Sequence, residues 1–136
     1  MMSRISRHAP LLLAAGLVYC YPDATRAADE QNRAYEEALA TAQRLDDSVE
    51  GQAYERELFA SIQSQLQRAM NECTSGDTPE HRFRLLFEIE SGKVARVLPE
   101  PEQPVAACVA QKVSGLPAPA APGAKWVVSI RMTVAP

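Results

Sequence analysis

The feature that most constrains this chain is a change in the spacing of its apolar residues near residue 80. Over residues 58–73 they recur every three or four positions, which is the period of one face of an α-helix. That face comprises Leu58, Phe59, Ile62, Leu66, Ala69, Met70 and Cys73. Over residues 83–89 they recur every second position, as in a half-buried β-strand. Because a segment containing Gly76 separates the two patterns, the sequence predicts a long helix that ends there and a strand that follows.

The predicted strand continues into a hairpin. A tight turn at Ser91-Gly92 leads to residues 93–98, which return as a second strand. Val94 and Val97 are off the two-residue period, which indicates a bulge or a strong twist in this strand. A proline-rich stretch then ends it. In the first strand only Leu86 breaks the alternation of apolar and polar residues.

Three more elements complete the predicted fold. An acidic helix with a thin, alanine-rich apolar stripe covers residues 28–45, and an acidic N-cap at Asp47 starts the long helix. A short helix begins at Pro104, a proline-rich loop without a core of its own covers residues 116–123, and residues 126–134 form a last strand. This order predicts an α+β fold of two N-terminal helices followed by ββαβ. Its three-stranded antiparallel sheet packs its apolar face on the long and the short helix.

The first 27 residues have the layout of a secretory signal peptide. Basic residues precede an apolar run of about 11 residues, and small residues follow at Ala24, Ala27 and Ala28. The run is too short to cross a bilayer as a helix, which takes roughly 20 residues. We expect cleavage after Ala27 and a soluble periplasmic product. The alternatives are a lipoprotein processed at Cys20 and an uncleaved anchor, in which the leader is the contact with the membrane.

The acidity of the chain is concentrated just behind this leader. The whole chain has a formal charge of −3. Residues 28–57 hold nine acidic and three basic side chains, whereas residues 58–136 are nearly neutral. There is no basic stripe, so nucleic acid is not an expected partner. We divide the chain into a signal peptide (1–27), an acidic N-terminal helix (28–50) and one α+β domain (51–136).

Cysteine usage fits an exported protein. Once the leader is removed, Cys73 and Cys108 remain, and an oxidising compartment allows them one intramolecular bridge. Both are expected on helices and facing the core, so we predict a disulfide between them, with two free buried thiols as the alternative. Closing that loop would stabilise the fold by roughly 3–4 kcal/mol.

An ordered set of segments resembles a known family. It consists of Cys73 after an amphipathic helix, the strand at 83–89, the hairpin at 92–97, Ala107-Cys108-Val109, and Leu116-Pro117-Ala118-Pro119. Together they resemble the periplasmic C-terminal domains of the TonB and TolA energy transducers, above all the TonB-C-like variants with two cysteines. The resemblance implies an αββαβ domain that holds other proteins and performs no catalysis. Those transducers also carry a membrane anchor and a long arm, which are not expected here, so the resemblance gives no basis for coupling to a membrane potential.

The residues give no support for a catalytic, cofactor or metal site. Outside the leader the sequence has one histidine, His81, and no visible third group to orient it as nucleophilic catalysis requires. His81 and Cys73 lack the spacing of metal ligands. Acidic pairs such as Glu36-Glu37 lie about 100° apart on a helix and indicate a solvated face. We therefore predict that the protein is not an enzyme and uses no cofactor or metal.

The predicted function is to bind other envelope proteins as a periplasmic adaptor. The C-terminal strand is expected at a sheet edge, where its unpaired N–H and C=O groups can pair with an extended partner segment. The candidate contact residues are Val127, Ser129, Arg131 and Thr133. Coverage of this edge by the acidic helix, or by a second copy in a homodimer, is the alternative at this site. Alternative functions are a small exported inhibitor or immunity-type protein, and a subunit of an envelope assembly that docks through its N-terminal helix.

Overall fold

The computed structural model describes residues 24–76 and 79–135, which contain three helices and three strands. Their order is α1 (Ala24–Asp46), α2 (Val49–Cys73), β1 (His81–Glu90), β2 (Lys93–Glu100), α3 (Pro104–Val113) and β3 (Trp126–Val134). This is the predicted α+β order of two helices followed by ββαβ. Residues 1–23 of the predicted leader lie outside the described residues, and residues 24–27 form the first turn of α1, four residues before the predicted start of that helix.

The strands form one antiparallel sheet in the order β2-β1-β3, so β1 is central and the other two strands are edges. The β1–β2 turn places Ser91 and Gly92 at φ values of 53° and 72°, the left-handed backbone of a two-residue type I′ turn. The pairing of β1 with β2 shifts register between Glu88 and Ile89, leaving Ala95 of β2 as the extra residue. This bulge confirms the irregularity that the apolar spacing of β2 predicted.

One face of the sheet packs against α2 and α3, as predicted. The core on this side joins one stripe from each helix to the alternating side chains of the strands. It includes Tyr54, Leu58, Ile62, Leu66, Ala69, Phe83, Leu85, Phe87, Ile89, Ala106, Val109, Val113, Val128 and Ile130. The helices present this stripe at intervals of three or four residues and the strands at intervals of two, which are the two periods visible in the sequence.

The opposite face of the sheet is covered by α1. Ala38 and Ala42 of this helix are buried against Leu86, Leu98 and Val127, one residue from each strand. These small side chains let the helix lie close to the sheet, which explains why its apolar stripe is thin. The single break in the alternation of β1 has the same cause, because its leucine points toward α1. The first helix is therefore a layer of the fold, and the predicted boundary at residue 50 falls inside the first turn of α2.

The junction between α1 and α2 is closed by a serine and a glycine. Ser48 is the N-cap of α2: its Oγ accepts a hydrogen bond from the Gly51 N–H (2.9 Å) and donates one to the Leu45 carbonyl (2.7 Å). The predicted cap at Asp47 is thus wrong by one residue. Gly51 is buried, and a Cβ atom on it would overlap the carbonyl of Leu45. The glycine that weakens this turn by propensity is what allows the two helices to meet.

The second strand is longer than predicted. It continues through Pro99 to Glu100 rather than ending at Leu98. Pro99 still lies opposite Leu85 of β1. An edge strand tolerates a proline, because one side of its backbone pairs with no neighbouring strand and a missing N–H there costs nothing.

A disulfide joins α2 to α3, as predicted. Cys73 is the last residue of α2 and Cys108 lies in α3, with their Cα atoms 5.8 Å apart. An ion pair between Lys112 Nζ and Glu72 Oε2 (2.6 Å) connects the same two helices at the surface. The C-terminal end of α2 is therefore held against α3, which fixes its position beside the sheet.

Candidate binding groove

The β2 edge of the sheet is paired where the strand begins. The N–H of Val94 donates to the carbonyl of Leu116 (2.8 Å), and the carbonyl of Val94 accepts from Gly115 (2.8 Å). The N–H of Ala118 donates to the carbonyl of Gly92 (2.9 Å). The proline-rich loop, which we expected to be without a core of its own, thus caps the start of this edge and leaves fewer free backbone groups on it.

Two aromatic residues hold this loop in place. The Tyr54 hydroxyl of α2 donates a hydrogen bond to the Pro119 carbonyl (2.9 Å). Its ring meets that of Trp126 edge to face, with centroids 5.8 Å apart. Since Leu116 and Ala121 also pack against the main core, the loop is fixed to the domain at several points.

The β3 edge is open by comparison. Among the described residues, no hydrogen bond beyond those with β1 reaches the backbone of residues 126–134. The outward N–H and C=O groups of this strand are therefore available to an extended segment from another chain.

A groove of about 470 Å³ runs between this edge and α2. Its sheet side consists of residues 130–135, the C-terminal half of β3 and the residue after it. Its helical side presents apolar and amide side chains from successive turns of α2. These are Phe59, Gln63, Leu66, Gln67, Met70 and Asn71, and Thr74, the residue after α2, closes this side. The groove therefore combines free strand backbone with an amphipathic wall.

Phe59 of this wall does not lie where its spacing predicted. We predicted it on the core face of α2, but 40% of its surface is exposed, whereas Leu58 is fully buried. Adjacent residues on a helix point about 100° apart, so a stripe centred on Leu58 and Ile62 leaves its neighbour at the margin. The adjacency of two large apolar residues was the available signal, since both cannot occupy the centre of one stripe.

A second hollow of about 550 Å³ adjoins the groove where the α1–α2 turn passes β3. The two hollows share Phe59, Ile130 and Arg131. Asp46 and Glu55 also line this second hollow. Burial raises the pKa of both carboxyl groups above their ordinary values, and each is raised further by a neighbouring acidic residue. This end of the groove is thus charged, whereas the α2 wall next to it is largely apolar and amide.

The four predicted contact residues fall in two different environments. Val127 is 7% exposed and lies under α1 in the second core, so its side chain does not face the open edge. Ser129 is half-buried and lines the hollow near the α1–α2 turn. Arg131 and Thr133 are exposed and line the groove itself. The structure therefore places two of the four in the groove and a third, Ser129, in the adjoining hollow.

Charged residues form a row across the sheet next to the groove. Arg84 of β1 lies opposite Glu100 of β2 on one side and opposite Arg131 of β3 on the other. Glu100 also accepts a hydrogen bond from the Tyr35 hydroxyl of α1 (3.3 Å). The Nε atom of Arg84 is buried without a described hydrogen-bond partner. Neither register position could be deduced from the sequence alone.

No other chemistry stands out in the part of the chain that the structure describes. His81 lies at the half-buried start of β1, opposite Val134. Residues 24–76 and 79–135 contain no group of three His, Cys, Asp or Glu side chains placed to hold a metal ion. No helix within those ranges has the length and hydropathy needed to span a membrane. Comparison with protein-family models, with curated proteins and with solved structures finds no match to this chain.

Proposed function

We propose that this protein is a periplasmic, non-enzymatic adaptor that binds an extended segment of another envelope protein along β3. The observation that carries the proposal is the unpaired outer side of β3, which faces the groove beneath α2. A segment added to such an edge gains main-chain hydrogen bonds, and the alternate side chains on its two faces provide specificity.

The contrast between the two edges of the sheet supports this proposal. Folded proteins generally cover or blunt exposed edges, because free strand backbone promotes aggregation. Here residues 115–118 cap the start of the β2 edge, at Gly92 and Val94, whereas β3 keeps its free backbone beside the exposed ring of Phe59. A segment that paired with β3 would satisfy this free backbone and cover the ring of Phe59 at the same time.

Two further features support the proposed location and partner class. A structural disulfide persists in oxidising compartments, and the first 27 residues have the layout of an export signal. The resemblance of residues 58–134 to TonB and TolA C-terminal domains favours an adaptor that holds envelope proteins. The partner in the proposal is accordingly an envelope protein with an extended segment.

Partner capture with matched variants tests the proposal. The full chain is expressed with a C-terminal affinity tag in the organism that encodes it, as wild type, Phe59→Gln and Val49→Gln. Val49 is the matched control, because it is also an exposed apolar residue of α2 (84%) but lines neither the groove nor the adjoining hollow. Both substitutions remove an exposed apolar group, so circular dichroism should show an intact fold for each.

We expect wild type and Val49→Gln to capture the same envelope protein after cross-linking, and Phe59→Gln to lose it. The same partners at the same yield for all three variants would refute docking in the groove. If the captured protein were a second copy of this chain, the proposal of an envelope partner would be replaced by that of a homodimer. Light scattering of the purified protein would then give the mass of a dimer.

A further inference from the structure

The charged row beside the groove is balanced on one side only. Arg84 has an acidic neighbour, Glu100, on β2, but its neighbour on the open strand is another cation, Arg131. Like charges directly opposite one another on adjacent strands are destabilising. The row therefore ends, at the edge where a partner strand would add, with a positive charge that has no acidic neighbour on β3 or β1.

A second row of the same sheet face shows how such charges are balanced elsewhere. Arg96 of β2 lies opposite Glu88 of β1, and its Nε and a terminal nitrogen each donate to that carboxylate at 2.8 Å. No described carboxylate lies within ion-pairing distance of Arg131, which is exposed at the groove. Arg84 and Arg96 thus each lie opposite a glutamate on a neighbouring strand, whereas Arg131 lies opposite no acidic residue.

We propose that the segment bound along β3 carries an acidic residue opposite Arg131, with apolar residues immediately before and after it. A strand added to β3 continues the pleat of the sheet, so a side chain opposite Arg131 lies on the same face as that arginine. Its two sequence neighbours point to the other face, beside the apolar wall of Phe59, Leu66 and Met70. The recognised pattern is apolar–acidic–apolar in an extended conformation.

This inference rests on the proposed docking along β3, and synthetic peptides test it separately from the cellular partner. The probe is a capped nine-residue peptide of alternating threonine and valine with glutamate at its centre, on the threonine face. A second peptide has lysine in place of the glutamate, and a third has the residues of the first in scrambled order. Binding to the full chain is measured by fluorescence anisotropy of a terminal dye at low ionic strength.

Replacing repulsion by attraction at one cross-strand pair should favour the glutamate peptide over the lysine peptide by about tenfold. Arg131→Glu should reverse that preference. Lys125→Glu is the matched control: it changes the net charge equally but lies just before β3, outside both hollows, so it should leave the preference in place.

The unfolding temperature shows whether the variant is folded in the binding assay. Arg131→Glu places a carboxylate opposite Arg84, which is favourable, but also in the hollow lined by Asp46 and Glu55, which is unfavourable. Because the two effects oppose each other, the variant should remain folded at the assay temperature while it loses the glutamate peptide.

The outcomes distinguish the two proposals. Equal binding of the glutamate and lysine peptides would overturn the acidic pattern and leave docking along β3 intact. Equal binding of the scrambled peptide would overturn the alternating pattern. Binding of no peptide would overturn the inference as stated, and the capture experiment with Phe59→Gln would then decide on the docking proposal by itself.

Discussion

Gly51→Ala is the substitution that most directly tests the packing of the α1–α2 junction. Gly51 is the third residue of α2, and its N–H donates to the capping Oγ of Ser48. A methyl group at this position would overlap the carbonyl of Leu45 in the last turn of α1, and would lie 2.9 Å from the Ser48 Oγ. Because the obstructing atoms belong to the backbone, no side-chain rotation relieves the overlap.

The expected loss of stability follows from three opposing contributions. Alanine has a better helix propensity than glycine by about 1 kcal/mol. Forcing an additional carbon into a closed contact costs about 1–3 kcal/mol. The shift needed to accommodate it also disrupts the Ser48 cap, which contributes about 1 kcal/mol. The variant should therefore lose about 1–3 kcal/mol of unfolding free energy, where each kcal/mol corresponds to about 4–8 °C in the melting temperature of a domain of this size.

Urea unfolding measures this difference, with the disulfide intact and the single tryptophan, Trp126, as the fluorescent probe. Gly76→Ala is the matched control, because a Cβ atom there meets no described atom within 4 Å and its backbone φ is not positive. That variant should remain within about 0.5 kcal/mol of wild type. If Gly51→Ala were as stable as wild type, or more stable, the two helices would not meet as described.

Three other variants have expected outcomes that follow from individual features of the structure. The double variant Cys73→Ser/Cys108→Ser should lose roughly 4 kcal/mol in urea unfolding, because the bridge closes a loop with a sequence separation of 35; an unchanged midpoint would contradict this. Tyr54→Phe should lose about 1 kcal/mol, since the Pro119 carbonyl loses its donor; an equal stability would show that this bond does not hold the loop. Burial raises the pKa of Glu55 above its ordinary 4.5, so the folded state is penalised as pH rises through and beyond that value. Glu55→Gln should therefore be more stable than wild type at neutral pH and lose that advantage below pH 4.5, as urea unfolding at both pH values would show.

The elements that face the main core could be predicted because their periods are local. The change from a helical to a strand period between Cys73 and His81 requires only neighbouring residues to be read. The role of α1 could not be predicted in the same way. Leu86 looked like an isolated exception, and its meaning depends on Leu98 and Val127, which are brought beside it by strand pairing. Three apolar residues on the second face require a cover, and only their alignment across the sheet makes that requirement visible.

The candidate site shows the same division between local and non-local information. That β3 is an edge strand was expected from the sequence, and Arg131 and Thr133 do line the groove. The juxtaposition of Arg84 with Arg131 depends on the register of two strands far apart in sequence. Hydrophobic alternation fixes which face a residue occupies, but turn geometry and long-range pairing fix its partner. Both arginines are therefore visible in the sequence, but nothing in it indicates that they lie opposite each other.

The same charges bear on whether a second copy of the chain would occupy the groove. An interface between two identical chains is usually symmetric, so two β3 strands would pair antiparallel about a two-fold axis. The groove lies along residues 130–135, and the α1–α2 turn lies beside the part of β3 that precedes them. Within so short a segment, symmetric pairing places the two copies of Arg131 opposite or diagonal to each other, next to both copies of Arg84. Four arginines would then gather at one interface, where like charges oppose pairing. An extended segment with an acidic residue at this position meets none of that repulsion, which is why the geometry favours a different protein over a homodimer.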